Sequence, residues 1–384
     1  MKAKLLEAVL VAAIFAVVMS AFAQVWTQTS APNTGGGWEA LALSADGRKA
    51  VAVSSTSPPI VSADSGVTWT TNAVFRWFKQ IAASADGTKW IAVFYSTPGY
   101  IYVSTDSGNT WAQTSSPNSS SWNVVASSAD GNKLFAAIYN GSIYLSTNAG
   151  TAWTTSSAPS KKWTWLASSA DGTKVTATAQ NDKIYCSTDS GMTWTATGSS
   201  SDSWSSIASS ADGTRLIASS GGGAYVSTNS GDSWTLLNTT SGQVASSADG
   251  TKLVIGGSSI YTSSDSGMTW VSNSAPITSV PDFSRIASSA DGCKMFAVRY
   301  GSPGIWTCQI APAPTLNINS FASTRAVLSW LVPSTNFVLQ QNSDLSTTNW
   351  TDVTNIPTLN FTNLQNQVIL SPVGSNAFYR LKTP

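Results

Sequence analysis

An octad, S-x-[DN]-x-G-x-x-W, occurs six times, at residues 62–69, 104–111, 146–153, 187–194, 227–234 and 263–270. A second phrase, Ser-Ala-Asp-Gly, interleaves with it and places aspartates at Asp46, Asp86, Asp130, Asp171, Asp212, Asp249 and Asp291. Their spacings are 40, 44, 41, 41, 37 and 42 residues. Between the phrases lie short apolar runs bounded by Asp-Gly and Ser-Gly, the punctuation of antiparallel hairpins. A period near 40 that holds four short strands is the signature of a propeller blade.

One composite unit describes every copy. An aromatic opens a first strand, as in Trp204-Ser205-Ser206-Ile207-Ala208-Ser209, and Ser-Ala-Asp-Gly turns it into a second. A variable turn leads to a third strand, and the octad turns that into a fourth. The ends of the array are informative. Val25-Trp26-Thr27-Gln28-Thr29 reads as a fourth strand with nothing before it, while the last unit stops after Ile305-Trp306-Thr307 without an octad. Pairing these two segments would close a ring and remove two open sheet edges. The expected fold is all-β: a seven-bladed β-propeller over 24–310, closed by its N-terminal strand.

Within the octad, the Asp or Asn accepts hydrogen bonds from its own turn, the Gly takes a positive φ, and the Trp fills space between sheets. Asp64, Asp106, Asn148, Asp189, Asn229 and Asp265 are therefore structural. An octad offers at most one carboxylate, whereas calcium wants six or more oxygens, so no metal and no cofactor is expected. These octads resemble the Asp-box (BNR) repeat of sialidase-like propellers, and their arrangement is similar to propellers of the photosystem II assembly factor type. The resemblance covers 24–310 and implies the fold. It also implies that the box is a scaffold remote from any active site.

The chain starts Met1-Lys2-Ala3-Lys4, continues apolar to about Val18 and reaches Ala21-Phe22-Ala23. That is the form of a secretory signal peptide, 1–23, too short for a membrane span. Without Lys2, Lys4 and Glu7 the remaining chain has 18 basic and 18 acidic groups, which argues against nucleic acid and against an anionic membrane surface. A secreted or cell-surface monomer is expected. Of the three cysteines, Cys186 reads as a core residue, and the Ser302-Pro303-Gly304 turn disfavours a Cys293–Cys308 bridge. After a linker at 311–316, runs of alternating apolar residues at 326–332, 337–341 and 367–370 predict a small β-sandwich-like domain over 317–384. This tail resembles C-terminal modules of exported bacterial proteins.

Both sets of regular turns fall on one face of the ring, so the irregular turns fall on the other, where binding is expected. Eight residues before each Ser-Ala-Asp-Gly aspartate stand Trp38, Phe78, Trp122, Trp163, Trp204, Ser241 and Phe283. They either ring the mouth of the axial channel as ligand contacts or wedge neighbouring blades. Near them lie Glu39, Arg76, Trp77, Lys79, Asn123, Lys161, Lys162, Trp165, Asp202, Gln243, Asp282 and Arg285. Trp77 and Trp165 break the repeat phase and are the sharper candidates for contact. Aromatic walls with scattered amides and charges suit a glycan or an extracellular protein. The chain has no histidine, which excludes a Ser-His-Asp triad. Glycoside hydrolysis by two carboxylates would have to draw on Glu39, Asp202 and Asp282. The sialidase resemblance implies an Arg-Ile-Pro motif and an arginine triad, yet only Arg285-Ile286-Ala287 occurs. An assembly or scaffold role for a membrane complex is a third reading, and the neutral charge balance supplies no docking patch for it.

Overall fold

In all seven copies the serine of Ser-Ala-Asp-Gly donates to the aspartate Oδ1 at 2.5–2.6 Å. The same oxygen accepts the backbone N–H two residues on, as Arg48 N shows at 3.0 Å. The N–H five residues after the serine donates back to the serine hydroxyl, 2.9 Å from Lys49. The turn is thus closed by its own side chains, leaving the alanine's peptide group to pair elsewhere. It pairs with the next unit. Ala45 donates to Ala85, Ala85 to Ala129, Ala129 to Ala170, Ala170 to Ala211, Ala211 to Ala248, Ala248 to Ala290, and Ala290 back to Ala45, every N···O distance being 2.7–2.8 Å.

This circle of peptide hydrogen bonds organises the array. In the computed structural model the described residues are 24–32, 37–54, 56–72, 77–94, 99–119, 121–238, 240–273, 283–299, 304–310, 316–320, 326–332, 337–343, 347, 349–370 and 378–382. The expected signal peptide, residues 311–315 of the linker, Arg76 and Asp282 lie outside them. The described residues contain strands and turns and no α-helix. In the first unit the order is Ala40–Leu43, Ala50–Val53, Ile60–Ser62, Thr70–Thr71, all antiparallel neighbours. Five further units repeat this meander, and the third and fourth join where Tyr139 pairs with Lys162. The last unit has Phe283–Ser288, Lys294–Arg299 and Ile305–Gln309, and its fourth strand is Thr27–Gln28 from the start of the chain. Thr27 faces Thr307 and Gln28 faces Trp306. The innermost strands touch in a closed order, that of the first unit against that of the last.

Glycine is needed at these turns for two reasons. Gly47 has φ +68°, and a Cβ there would lie 2.8 Å from Cβ of Lys294 in the last unit. Even a residue tolerant of the left-handed region would collide with the neighbouring unit.

The octads behave as expected of capped turns. Asp64 Oδ1 accepts Thr68 N (2.8 Å), its Oδ2 accepts Thr68 Oγ1 (2.5 Å), and Trp69 Nε1 donates to Gly66 O (3.2 Å). Asn148 and Asn229 accept the same backbone bond at 2.8 and 3.0 Å, so an amide oxygen suffices. Burial would raise the Asp64 carboxyl, but the bonds from Thr68 and Ser62 together outweigh it and hold the group below its ordinary value. The same balance holds at Asp106 and Asp265, whereas at Asp189 the Thr193 hydrogen bond is the leading cause.

Between neighbouring units lie apolar layers, such as Val51 and Val53 of the first against Phe78, Ile81 and Trp90 of the second. All three cysteines are free. Cys308 stands opposite Met295, and Cys293 bonds through its carbonyl to Ile310, so the two are staggered on paired strands. Burial pushes the Cys186 thiol up to about 11, in keeping with a core role. Beyond residue 316, a four-stranded and a three-stranded antiparallel sheet enclose Leu328, Trp330, Leu339 and Val368.

The last unit depends on a strand from the far end of the chain, and Thr29 N donates to Ile305 O at 2.8 Å. Proline at 29 removes that donor. Thr29→Pro is expected to cost about 1–3 kcal/mol and lower the thermal midpoint by several degrees. Thr27→Val, whose side chain is exposed, serves as the control. Equal midpoints for the two variants, by near-ultraviolet circular dichroism, would show that this strand contributes nothing.

Candidate functional site

On the side away from the octads, four of the inner strands begin with a bulge. Pairing slips by one residue between Phe78 and Gln80, Trp122 and Val124, Trp163 and Trp165, and Phe283 and Arg285. A bulge adds a residue to one strand and re-aims the side chains around it. Its effect here is to separate two roles. The aromatic eight residues before the aspartate turns into the layer between units, while in the second, fourth and seventh units the residue six before it lines the channel.

The first role corrects the reading of those aromatics as ligand contacts. Trp38, Phe78, Trp122, Trp163, Trp204 and Phe283 are at most 3% exposed. Trp163 packs edge-on to Tyr185, with centroids 5.4 Å apart, and donates its indole N–H to Gly141 O at 2.9 Å. Trp204 does the same with Tyr225 and Ser200 O, and Phe78 stacks near Trp111. A ring at this position has no free face. It is a spacer between sheets, because the inner strands converge too closely at the axis to leave a bulky side chain in solvent.

The second role defines the site. A cavity of about 220 Å³ on the axis is lined by Gln80, Trp165 and Arg285 over walls that include Leu41, Ile81, Val125 and Leu166. Arg285 Cζ lies 4.5 Å from the centroid of Trp165. The two come from the seventh and fourth units, three places apart around the ring, so this cation–π contact spans the channel. Such a pair contributes about 0.5–2 kcal/mol, more as water is excluded.

Charge at the mouth is coupled. Burial presses the Arg285 guanidinium down to about 10, with Glu39 opposing it, and it stays charged at neutral pH. Lys79 is held below its ordinary value first by burial and then by the like charge of Arg285, again against Glu39. The amides tie neighbouring units together: Gln80 Oε1 accepts Val125 N (3.0 Å) and Asn123 Nδ2 donates to Trp163 O (2.7 Å). Gln243 Oε1, six residues before Asp249 in the sixth unit, is buried without a hydrogen-bond partner.

Other candidates sit away from this floor. Trp77 is 44% exposed. Asp202 uses Oδ1 to accept Ser203 N (2.7 Å) and Oδ2 to accept Ser220 Oγ (2.6 Å), so its carboxylate caps loops. Lys161 pairs with Asp182 at 2.6 Å, an ion pair that needs the fourth unit's turn geometry to be seen. Gln80 and Asp182 were not singled out from sequence. The usable signal was phase, because the position six before each aspartate varies (Ala40, Gln80, Val124, Trp165, Ser206, Gln243, Arg285) whereas the position eight before is aromatic in every unit but the sixth, which has Ser241. Among the described residues no group of three or more His, Cys, Asp or Glu is assembled to hold a metal.

Comparison with known proteins agrees with this geometry. A solved structure described as YCF48 bound to D1 peptide aligns with a TM-score of 0.58 at 19% identity, covering 74% of this chain and 97% of that one. The fold is a β-propeller. YCF48 from Cyanidioschyzon merolae gives 0.57 at 18% identity, over 74% of this chain and 98% of that one. The GH74 xyloglucanase from Xanthomonas campestris gives 0.61 at 13% identity over 80% of this chain, which spans 59% of the xyloglucanase. At these identities the likeness carries the fold alone. No protein-family model matches the sequence, and no curated protein matches it.

The coupling at the mouth is measurable. Arg285→Gln removes a like charge from Lys79 and should raise the Lys79 pKa, while Glu39→Gln should lower it. Side-chain NMR titration of Lys79 reads both shifts. A Lys79 amine that moves in neither variant would show that the three groups do not share one field.

Proposed function

We propose that residues 24–310 form a seven-bladed Asp-box β-propeller closed by its first strand, joined through 311–316 to a small β-sandwich-like domain at 317–384. The protein is exported through the signal at 1–23. It binds an extracellular protein without catalysis, on the face opposite the octads. The observation that carries this reading is the Trp165–Arg285 contact across the axis, set in a cavity of mixed polar and apolar lining with Lys79 and Glu39 in the same field. Trp and Arg in a partly desolvated centre, surrounded by a few polar groups, are what a binding hot spot is made of.

A fold neighbour described as bound to a peptide supports a protein ligand over a glycan, which is the second reading. The supply of carboxylates supports binding over glycoside hydrolysis. Glu39 is the only glutamate after Glu7, and Asp202 is spent on loop caps. An assembly role for a membrane complex remains a special case of protein binding, and one that the balanced charge does not favour.

Peptide and glycan arrays probed with the chain lacking 1–23, beside Trp165→Ala and Trp77→Ala, test this. Peptide binding is expected, weakened at least about tenfold by Trp165→Ala and less by Trp77→Ala. Binding to glycans alone would select the second reading. Peptide binding that both variants keep in full would place the site elsewhere.

A further inference from the structure

The other end of the axial channel is covered. The alanine circle forms one apolar cluster with Val332, and Leu331, Leu359, Phe361 and Leu364 of the C-terminal region pack against it. Thr358–Asn360 and Gln365–Leu370 are the two arms of a hairpin, and its tip, residues 361–364, is the part that reaches the alanines. The tip is built for this position. Asn360 Oδ1 accepts Thr362 N (2.9 Å) and Asn363 Oδ1 accepts Gln365 N (3.2 Å), a pair of side-chain-capped turns. Leu364 has φ +55°, a region that a leucine rarely occupies, and its carbonyl accepts Val332 N at 3.0 Å. A bulky residue persists in that conformation only where its surroundings over-determine it. Here they seat Leu364 over a cavity of about 180 Å³ lined by the alanine circle and the serines beside it. That cavity and the one under Trp165 and Arg285 share Ala83, Ser127 and Ser168, so they are two ends of one channel.

We infer that the C-terminal region is an intramolecular stopper: its 358–370 hairpin seats Phe361 and Leu364 on the alanine circle and makes the axial channel a blind pocket. Access is left only past Trp165 and Arg285. The alanines suit this partner because a ring of methyl groups leaves a shallow apolar pit, matched by the tip of a hairpin carrying two large apolar side chains. The inference stands apart from the identity of any ligand at the opposite mouth.

The test cuts the covalent link and asks whether the contact holds. A specific protease site is inserted within 311–315 of the otherwise full chain, and the cut protein is run by size exclusion at low concentration. The tail should co-elute with the array, and Leu364→Asp should weaken that association at least about tenfold, because it buries an unpaired charge. Phe361→Asp, at a half-buried tip position, provides an independent second variant, and near-ultraviolet circular dichroism confirms that each remains folded. A Ser246→Cys reporter in the covered cavity, read against the parent chain with its three native thiols, should react with a bulky maleimide at least about tenfold faster once the tail is released. A wild-type tail that separates on cutting would overturn the inference. So would co-elution or reporter labelling that neither substitution changes.

Discussion

Seven peptide groups in a circle, each donating to the next, set the geometry on which everything else depends. A backbone N–H buried at the axis must find a carbonyl, and within a tight Ser-Ala-Asp-Gly turn none is left for the alanine. The turn's serine and aspartate absorb the other local donors, so the alanine can pair only with its counterpart one unit on. Repeating that rule closes the chain of bonds on itself. The same convergence explains the residue choice. Alanine is small enough for seven strands to meet, and the glycine two residues on lets the basic stem of the preceding unit lie across the turn, as Lys294 does over Gly47.

Convergence at the axis also decides what can face the channel. Near the covered end the lining is mostly alanine methyls and serine hydroxyls, with Leu43 and Leu364 beside them. Toward the other end the strands diverge, and bulges in four of the units re-aim one residue each, which makes room for Gln80, Trp165 and Arg285. The large aromatics at the preceding positions are turned sideways into the layers between units and keep the sheets at their separation. Structural and exposed functions are thereby split between residues only two apart in sequence. One end of the channel carries charge and an indole, and at the other the apolar side chains of the 358–370 hairpin pack against the alanines.

Much of this was readable from the chain. The 40-residue period, the capped turns and the unpaired first strand rest on local chemistry, and the strand Thr27–Gln28 does pair with Ile305–Gln309. The octad carboxylates cap turns because the acceptor they offer is local and complete. What was not legible depends on three-dimensional phase. The aromatics at Phe78, Trp163 and Phe283 look alike whether they point into a channel or between sheets, and the one-residue bulge that follows each of them is invisible in a repeat alignment. The Trp165–Arg285 contact joins units that are distant in sequence and not adjacent in the ring. The seating of Leu364 on the alanines required knowing where a tail with no repeat signature comes to rest.

The central claim is that the circle is closed, with the bond from Ala290 to Ala45 as sound as the other six. Site-resolved amide hydrogen exchange at Ala45, Ala85, Ala129, Ala170, Ala211, Ala248 and Ala290 addresses it directly. A closed circle predicts that all seven exchange together, among the slowest amides in the array. Early exchange at Ala290, with the other six protected, would mean that the ring is open between its last and first units.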